Sequence, residues 1–436
     1  MSAAPIKSKN QFERFLHSQT SSSIVLMLAT LAAVLWANSP WSDYYFKLGH
    51  LGIGTHFNGR QYQLSLDHWV KDGLMTIFFF VVGLEIKREI LIGELSSLKK
   101  AVLPVMAAVG GAVLPALIYF FFNPAGSSAS GWGVPMATDI AFALGLLALF
   151  GRRVPIGLKI FLTALAIVDD LLAVLVIAVF YTDRISFPAL GAAFLFLSLL
   201  FLLIKNHSDN PFFFFCLCFA VWVCIFLSGI HATIAGVLLA LIIPVKATME
   251  PGIFFATIKR HKSWLKKTNL TRHSMVADKQ QRIAIEQIYL AAQRMIPAGI
   301  RMEEALHPVQ AFLILPLFAL FAAGVTINQE TLSTFPDGIS LGIIAGLFLG
   351  KQIGILGFSF AMVKSGWTTL PTGVTWGQLW GVSLLGGIGF TMSIFISELA
   401  FTDPIQLAEA KIAVFAASLL AGMAGSVILN IYLPKR

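Results

Sequence analysis

The chain has 436 residues, 57% of them hydrophobic and only 12% charged, with a mean hydropathy of +0.80 and a formal net charge of +9. A soluble domain carries about 25% charged residues, so the composition excludes a soluble globular protein. The three cysteines, Cys216, Cys218 and Cys224, share one apolar run without a distant partner, which excludes a disulfide framework or zinc site and leaves buried, inert thiols as the reading.

With about 20 apolar residues needed per crossing, the sequence predicts an all-α polytopic membrane protein of about twelve segments. They lie near 18–37, 67–91, 101–122, 132–150, 155–181, 186–204, 211–228, 229–244, 306–325, 340–363, 376–400 and 407–432. Lys7, Lys9 and Arg14 precede the first run as they would in a signal peptide. The polar leader is long, however, and many spans follow, so the first run is read as retained.

Between the first two spans, GIGTHFNGRQYQL (52–64) sets Asn58-Gly59 between extended alternating segments, the signal for a two-residue hairpin turn. An isolated hairpin is marginal, and pairing with its copy in a second subunit would stabilise it. Lys and Arg collect in alternate connections: Lys87, Arg88, Lys99, Lys100, then Arg152, Arg153 and Lys159, then Lys205, Lys364, Lys435 and Arg436. The intervening loops are poor in them, which places both termini in the cytoplasm. The loop 246–302 holds 11 Lys and Arg against 3 Asp and Glu. It reads as a basic cytoplasmic loop resting on anionic headgroups rather than as a nucleic-acid site, with helical periodicity over 279–300. It separates a half at 67–244 from one at 306–432 within a single membrane domain spanning 1–436.

A few ionisable residues interrupt the apolar runs. Asp169 and Asp170 stand together in ALAIVDDLLAVLVIAV (164–179), Asp139 follows Thr138 and Pro135 in GWGVPMATDIAFALG, and Lys351 lies in mid-segment in LFLGKQIGIL. Each charge costs roughly 2.5 to 3.5 kcal/mol to insert and is read as functional by default. Gly386, Gly387 and Gly389 cluster in the eleventh segment. That cluster and the Pro135 region predict broken helices at corresponding places in the two halves, the fourth and eleventh segments, which points to a transport site where inverted repeats meet. Adjacent residues on a helix point about 100° apart, so Asp169 and Asp170 cannot share one partner. One should face Asp139 and the other Lys351. Two carboxylates in a small cavity suit a hard monovalent cation and compete for protons, and a site holding either one or the other exchanges them.

At these residues the chain resembles the NhaA family of bacterial sodium/proton antiporters. The likeness rests on DGLMTIFFFVVGLEIKRE, ATDIAFALG, LTALAIVDDLLAV, SGIHATIAGV, LHPVQAFLILPLFALFAAGV, GKQIGI and GIGFTMSIFI. It implies two discontinuous helices crossing at the site, with Asp170 and Asp139 as ligands for Na+ or Li+ or for protons and Thr138 beside them. It also implies that Asp169 pairs with Lys351. Exchange of two protons per cation would be electrogenic and would serve pH and sodium homeostasis in the bacterial inner membrane. pH sensing is implied at Glu85, Arg88, Glu89, Glu303 and His307 in a cytoplasmic funnel, and at His231. The Asn58-Gly59 hairpin is implied as a homodimer contact. No cofactor is needed.

Two features depart from the family pattern. The loop 246–302 is longer than usual, and Lys71 stands where an uncharged amide is commoner. Other readings fare worse. The GxGD context of intramembrane aspartyl proteases is absent, so the chain is not read as an enzyme. A passive channel would not need a deep lysine, and a sodium symporter for an organic solute would want a roomier cavity.

Overall fold

Leu, Ala, Ile and Phe dominate the long runs, and in a bilayer a helix satisfies every backbone hydrogen bond within its own segment. The computed structural model describes residues 19–57, 60–182, 185–206, 210–247, 249–268, 271, 278–326 and 335–434. The proposed turn residues Asn58 and Gly59 lie outside them. The chain is a polytopic, helical membrane protein. Among the described residues eight helices are long and apolar enough to cross a membrane, or nine if one bent pair counts as a span.

In chain order, α1 (Gln19–Ala37) and the short α2 (Ser42–Gly49) lead into strands β1 (Gly52–Phe57) and β2 (Arg60–Ser65). The strands pair antiparallel with Phe57 opposite Arg60. Helical turns at Leu66–His68 and Trp69–Leu74, the second π-helical, run into α3 (Met75–Leu91). Then come α4 (Leu98–Phe122), a 3₁₀ stretch Ser127–Met136 with α5 (Ile140–Leu149), and α6 (Ile156–Phe180). The helices α7 (Phe187–Lys205), α8 (Pro211–Leu227) and α9 (Thr233–Ile242) complete the first half.

The basic loop is not irregular. It holds α10 (Pro251–Lys267) and α11 (Lys279–Met295), which pack on each other. Periodicity marked the second of these helices and missed the first. The ninth span starts earlier than its apolar run, at Ala298. It consists of α12 (Ala298–Val309), a π-helical turn Gln310–Ile314 and α13 (Leu315–Ala322). Its first turns carry Arg301, Glu303 and Glu304, which hid them from a hydropathy reading. There follow α14 (Gly338–Ala345), a π-helical turn Gly346–Gly350, α15 (Lys351–Lys364), α16 (Trp376–Leu385), α17 (Phe390–Ala400) and α18 (Pro404–Tyr432).

The buried core runs through α3, α4, α6 and α13 to α18. The α4–α15 contact is close because glycines meet there: a Cβ on Gly110 or Gly354 would strike the other's carbonyl oxygen. By contrast α7 and α8 bury only Ala193, Leu200, Val221 and Ile225 while exposing Phe194, Phe201, Phe212 and Phe219. Such large apolar faces belong against lipid tails. The cysteines expected to be buried lie on α8, where Cys216 is exposed and Cys218 and Cys224 are half-buried. Lipid, not protein, is the apolar surrounding that α8 offers them.

Candidate cation site

Two chain breaks build the site. After the 3₁₀ stretch ends at Met136 the backbone is extended at Ala137 and Asp139, and α5 begins at Ile140. After α16 ends, Gly386, Gly387 and Gly389 carry the chain to α17, and α16 and α17 are bent by 46°. Glycine is needed here for proximity. A Cβ on Gly387 would meet the Leu347 carbonyl, and one on Gly389 the Ser393 side chain. Phe390 follows with φ of 22°, a left-handed conformation costly for a side chain this large. Breaking a helix frees backbone groups that must find partners at membrane depth. The two breaks supply them to each other: Asp139 N donates to Ile388 O at 2.7 Å, and Ser393 Oγ donates to Val134 O at 2.8 Å.

Asp139 sits where two helices begin. Its Oδ1 accepts from Phe142 N at 3.0 Å and caps α5. Its Oδ2 accepts from Thr391 N at 3.2 Å and Thr391 Oγ1 at 2.5 Å in the first turn of α17. Helix N-termini present free N–H groups and a positive dipole end, so both favour a carboxylate between them. Thr391 was not foreseen as a site residue. Its only sequence signal is a hydroxyl placed just after a glycine break.

The helix α6 carries the other two aspartates, and the structure sends them in different directions. Asp169 Oδ2 accepts from Lys351 Nζ at 2.5 Å, both side chains being at most 1% exposed. On α4, a Cβ at Gly111 would press on Ile355 and only touch the lysine stem. Thr138, expected among the cation/proton-binding residues, does lie at the helix break, and its hydroxyl is 2.7 Å from Asp169 Oδ2 and 2.8 Å from Gly386 O. The extended backbone there sends its side chain and that of Asp139 to different partners, since successive side chains point oppositely.

Asp170 is 1% exposed, and its Oδ2 has no hydrogen-bond partner among the described residues. It lines a cavity of about 140 Å³ together with Asp139, Thr391, Glu85 and His307. At this site a buried carboxylate therefore keeps acceptor capacity unspent in a small cavity that a second carboxylate also lines.

Of the residues expected to sense pH, Glu85 and His307 reach this cavity. Arg88 pairs with Glu89 at 2.8 Å and with Glu303 at 3.1 Å, tying α3 to α12. His231 is elsewhere: its Nε2 lies 3.6 Å from Asp72, its Nδ1 lies 3.0 Å from Thr233 Oγ1, and its ring meets Phe395 edge-on. A charge network not foreseen from sequence lies near it. Lys71 pairs with Asp67 and with Glu398, each at 2.8 Å, and Glu398 also pairs with Lys411 at 2.6 Å. Lys71 itself does not reach the cavity.

These features agree with what the chain is similar to. The family model described as Na+/H+ antiporter 1 matches residues 13–429. A relative from Sulfurimonas denitrificans named Na(+)/H(+) antiporter NhaA is 45% identical over 425 residues, covering 96% of this chain and 95% of its own. One from Oleidesulfovibrio alaskensis with the same name is 44% identical over 427 residues, covering 98% and 94%. Another from Clostridium beijerinckii, Na(+)/H(+) antiporter NhaA 1, is 44% identical over 426 residues, covering 98% and 96%. The chain belongs to the Na+/H+ antiporter 1 family.

Proposed function

We propose that this chain, an antiporter by family, exports Na+ and Li+ across a bacterial inner membrane in exchange for protons, with Asp170 and Asp139 as the shared binding site. The observation that carries this is the cavity. An Asp170 oxygen that is buried and without a hydrogen-bond partner among the described residues shares with Asp139 a cavity of about 140 Å³, well below the roughly 300–1,000 Å³ of pockets for organic ligands. Cation and protons compete because they bind the same carboxylate oxygens. Thr391 and the two helix ends hold Asp139 in place for both loads. The Asp169–Lys351 pair fixes α6 against α15 and leaves Asp170 as the neighbour that loads. Two protons per cation would move net charge and let the membrane potential drive export.

Twelve crossings follow if the bent pair, α3, α8 and α9 are each counted with the eight long helices, and both termini then lie in the cytoplasm. Broken spans at paired positions support an inverted repeat, and this family is itself a standard example of that architecture. The halves 67–244 and 306–432 form one transporter domain, with the two broken spans crossing at Asp139. The Arg88, Glu89 and Glu303 cluster, with Glu85 and His307, forms a pH-sensing mouth, and His231 acts separately from it. The basic pair α10 and α11 rests on the cytoplasmic leaflet. The strands β1 and β2, joined at Asn58 and Gly59, pair with a second subunit, and deleting 53–64 should give monomers in detergent.

Everted vesicles holding an imposed pH gradient test the exchange. Sodium or lithium should collapse the gradient, more strongly as pH rises from acid to alkaline, and Asp170→Asn should abolish the collapse while the protein persists in the membrane. Failure of wild type at every pH would overturn the reading.

A further inference from the structure

Three helices present polar side chains to the cavity, Glu85 from α3, Thr163 and Asp170 from α6, and His307 and Gln310 from α12 and the turn after it, and the spacing continues along two of them. Glu303, His307 and Gln310 are four and three residues apart on α12 and the π-helical turn after it. Glu85 and Glu89 are four apart on α3, and Thr163 and Asp170 are seven apart on α6. Residues at these intervals share a helix face. The Arg88–Glu303 pair stands about one helical turn from Glu85 and His307 on the same two helices.

Two of the residues lining the cavity, Thr163 and Gln310, have no part in the exchange described above. Gln310 Oε1 is buried and without a hydrogen-bond partner among the described residues. Buried amide oxygens are nearly always satisfied, so an orphan beside an ion cavity asks for a reason. Gln310 also opens a π-helical turn, a local widening that recurs at functional sites.

We propose that Gln310 Oε1 and Thr163 Oγ1 form an uncharged station for the alkali cation between Glu85 and Asp170, replacing water oxygens as the ion sheds its shell. Neutral oxygens suit a station better than carboxylates do. Conduction needs sites that bind well enough to admit an ion and weakly enough to release it. A further carboxylate beside Glu85, Asp139 and Asp170 would bind the cation more tightly and slow its release. The station rests on the antiport reading and adds to it how the ion crosses the gap to the binding pair.

The test is transport by the full-length protein in proteoliposomes at fixed pH, comparing wild type, Gln310→Leu, Gln310→Glu and Thr163→Val. Gln310→Leu and Thr163→Val should each raise the sodium KM about five- to tenfold, the loss expected for one ordinary polar contact. The maximal rate and the pH midpoint should stay within about twofold of wild type. Gln310→Glu, which restores an oxygen, should bring KM back to or below the wild-type value. An unchanged KM in Gln310→Leu, with wild type active, overturns the station alone. A loss of thermal stability in Gln310→Leu that Gln310→Glu does not restore also overturns it, because that marks a packing role. Wild type without sodium-dependent proton movement overturns the antiport reading, and the station with it.

Discussion

Replacing Lys351 by methionine removes the ammonium and keeps most of the stem. Its partner Asp169 is then left buried with an oxygen that had accepted at 2.5 Å. Breaking a buried ion pair from one side costs about 3–5 kcal/mol, because the remaining charge loses its compensation. The Thr138 hydroxyl, 2.7 Å from the same oxygen, still donates after the change. A hydrogen bond to a charged group is worth about 1.5–3 kcal/mol, so the loss should fall near the lower end, about 3 kcal/mol. Asp169→Asn should cost a similar amount by stranding the lysine. The double variant, with no charge left to strand, should cost less than the sum by about 1–3 kcal/mol. Equilibrium unfolding in detergent micles of the four proteins measures this cycle. Single losses below about 1 kcal/mol, or additivity within about 0.5 kcal/mol, would refute a structural salt bridge.

Three further outcomes can be checked alongside. Gly354→Ala should overpack the α4–α15 contact and cost about 1–3 kcal/mol in the same unfolding assay; wild-type stability would mean that the helices do not approach through Gly110 and Gly354. Thr391→Val keeps the backbone bond to Asp139 but removes the hydroxyl. It should weaken sodium binding about tenfold, the lower part of the range for a hydrogen bond to a charged group, and an unaltered affinity would remove Thr391 from the site. Glu398→Gln leaves Lys71 and Lys411 without their shared carboxylate and should lose about 3 kcal/mol. Adding Lys411→Met should recover part of that loss, and strict additivity would show that the three groups are not coupled.

The sequence was most informative where chemistry contradicted surroundings. Asp139, Asp169, Asp170 and Lys351 stand out because charges in apolar runs are costly, and helix geometry alone required the two adjacent aspartates to part. The glycine cluster and Pro135 marked the breaks for a related reason: both residues weaken a helix that lipid would otherwise enforce. What stayed hidden was set by pairing across long distances. Thr391 is ordinary until α17 brings it to Asp139, and Gln310 gains interest only as a buried oxygen without a partner. Lys71, Glu398 and Lys411 come from three separate segments, and no local pattern joins them. The helix α10 was missed because its exposed lysines and its apolar residues together read as a solvated loop. The contact of the Thr138 hydroxyl with Asp169 and Gly386 is likewise set by segments far apart in the chain.

The central claim is that one pair of carboxylates holds either cation or protons. Adding sodium to the purified protein in weakly buffered detergent solution, while recording proton release and sodium binding together, tests it most directly. The account predicts that sodium binding releases protons, that the apparent sodium affinity falls as the pH is lowered, and that Asp170→Asn abolishes both effects. Sodium binding that releases no protons and keeps the same affinity across the pH range would contradict it.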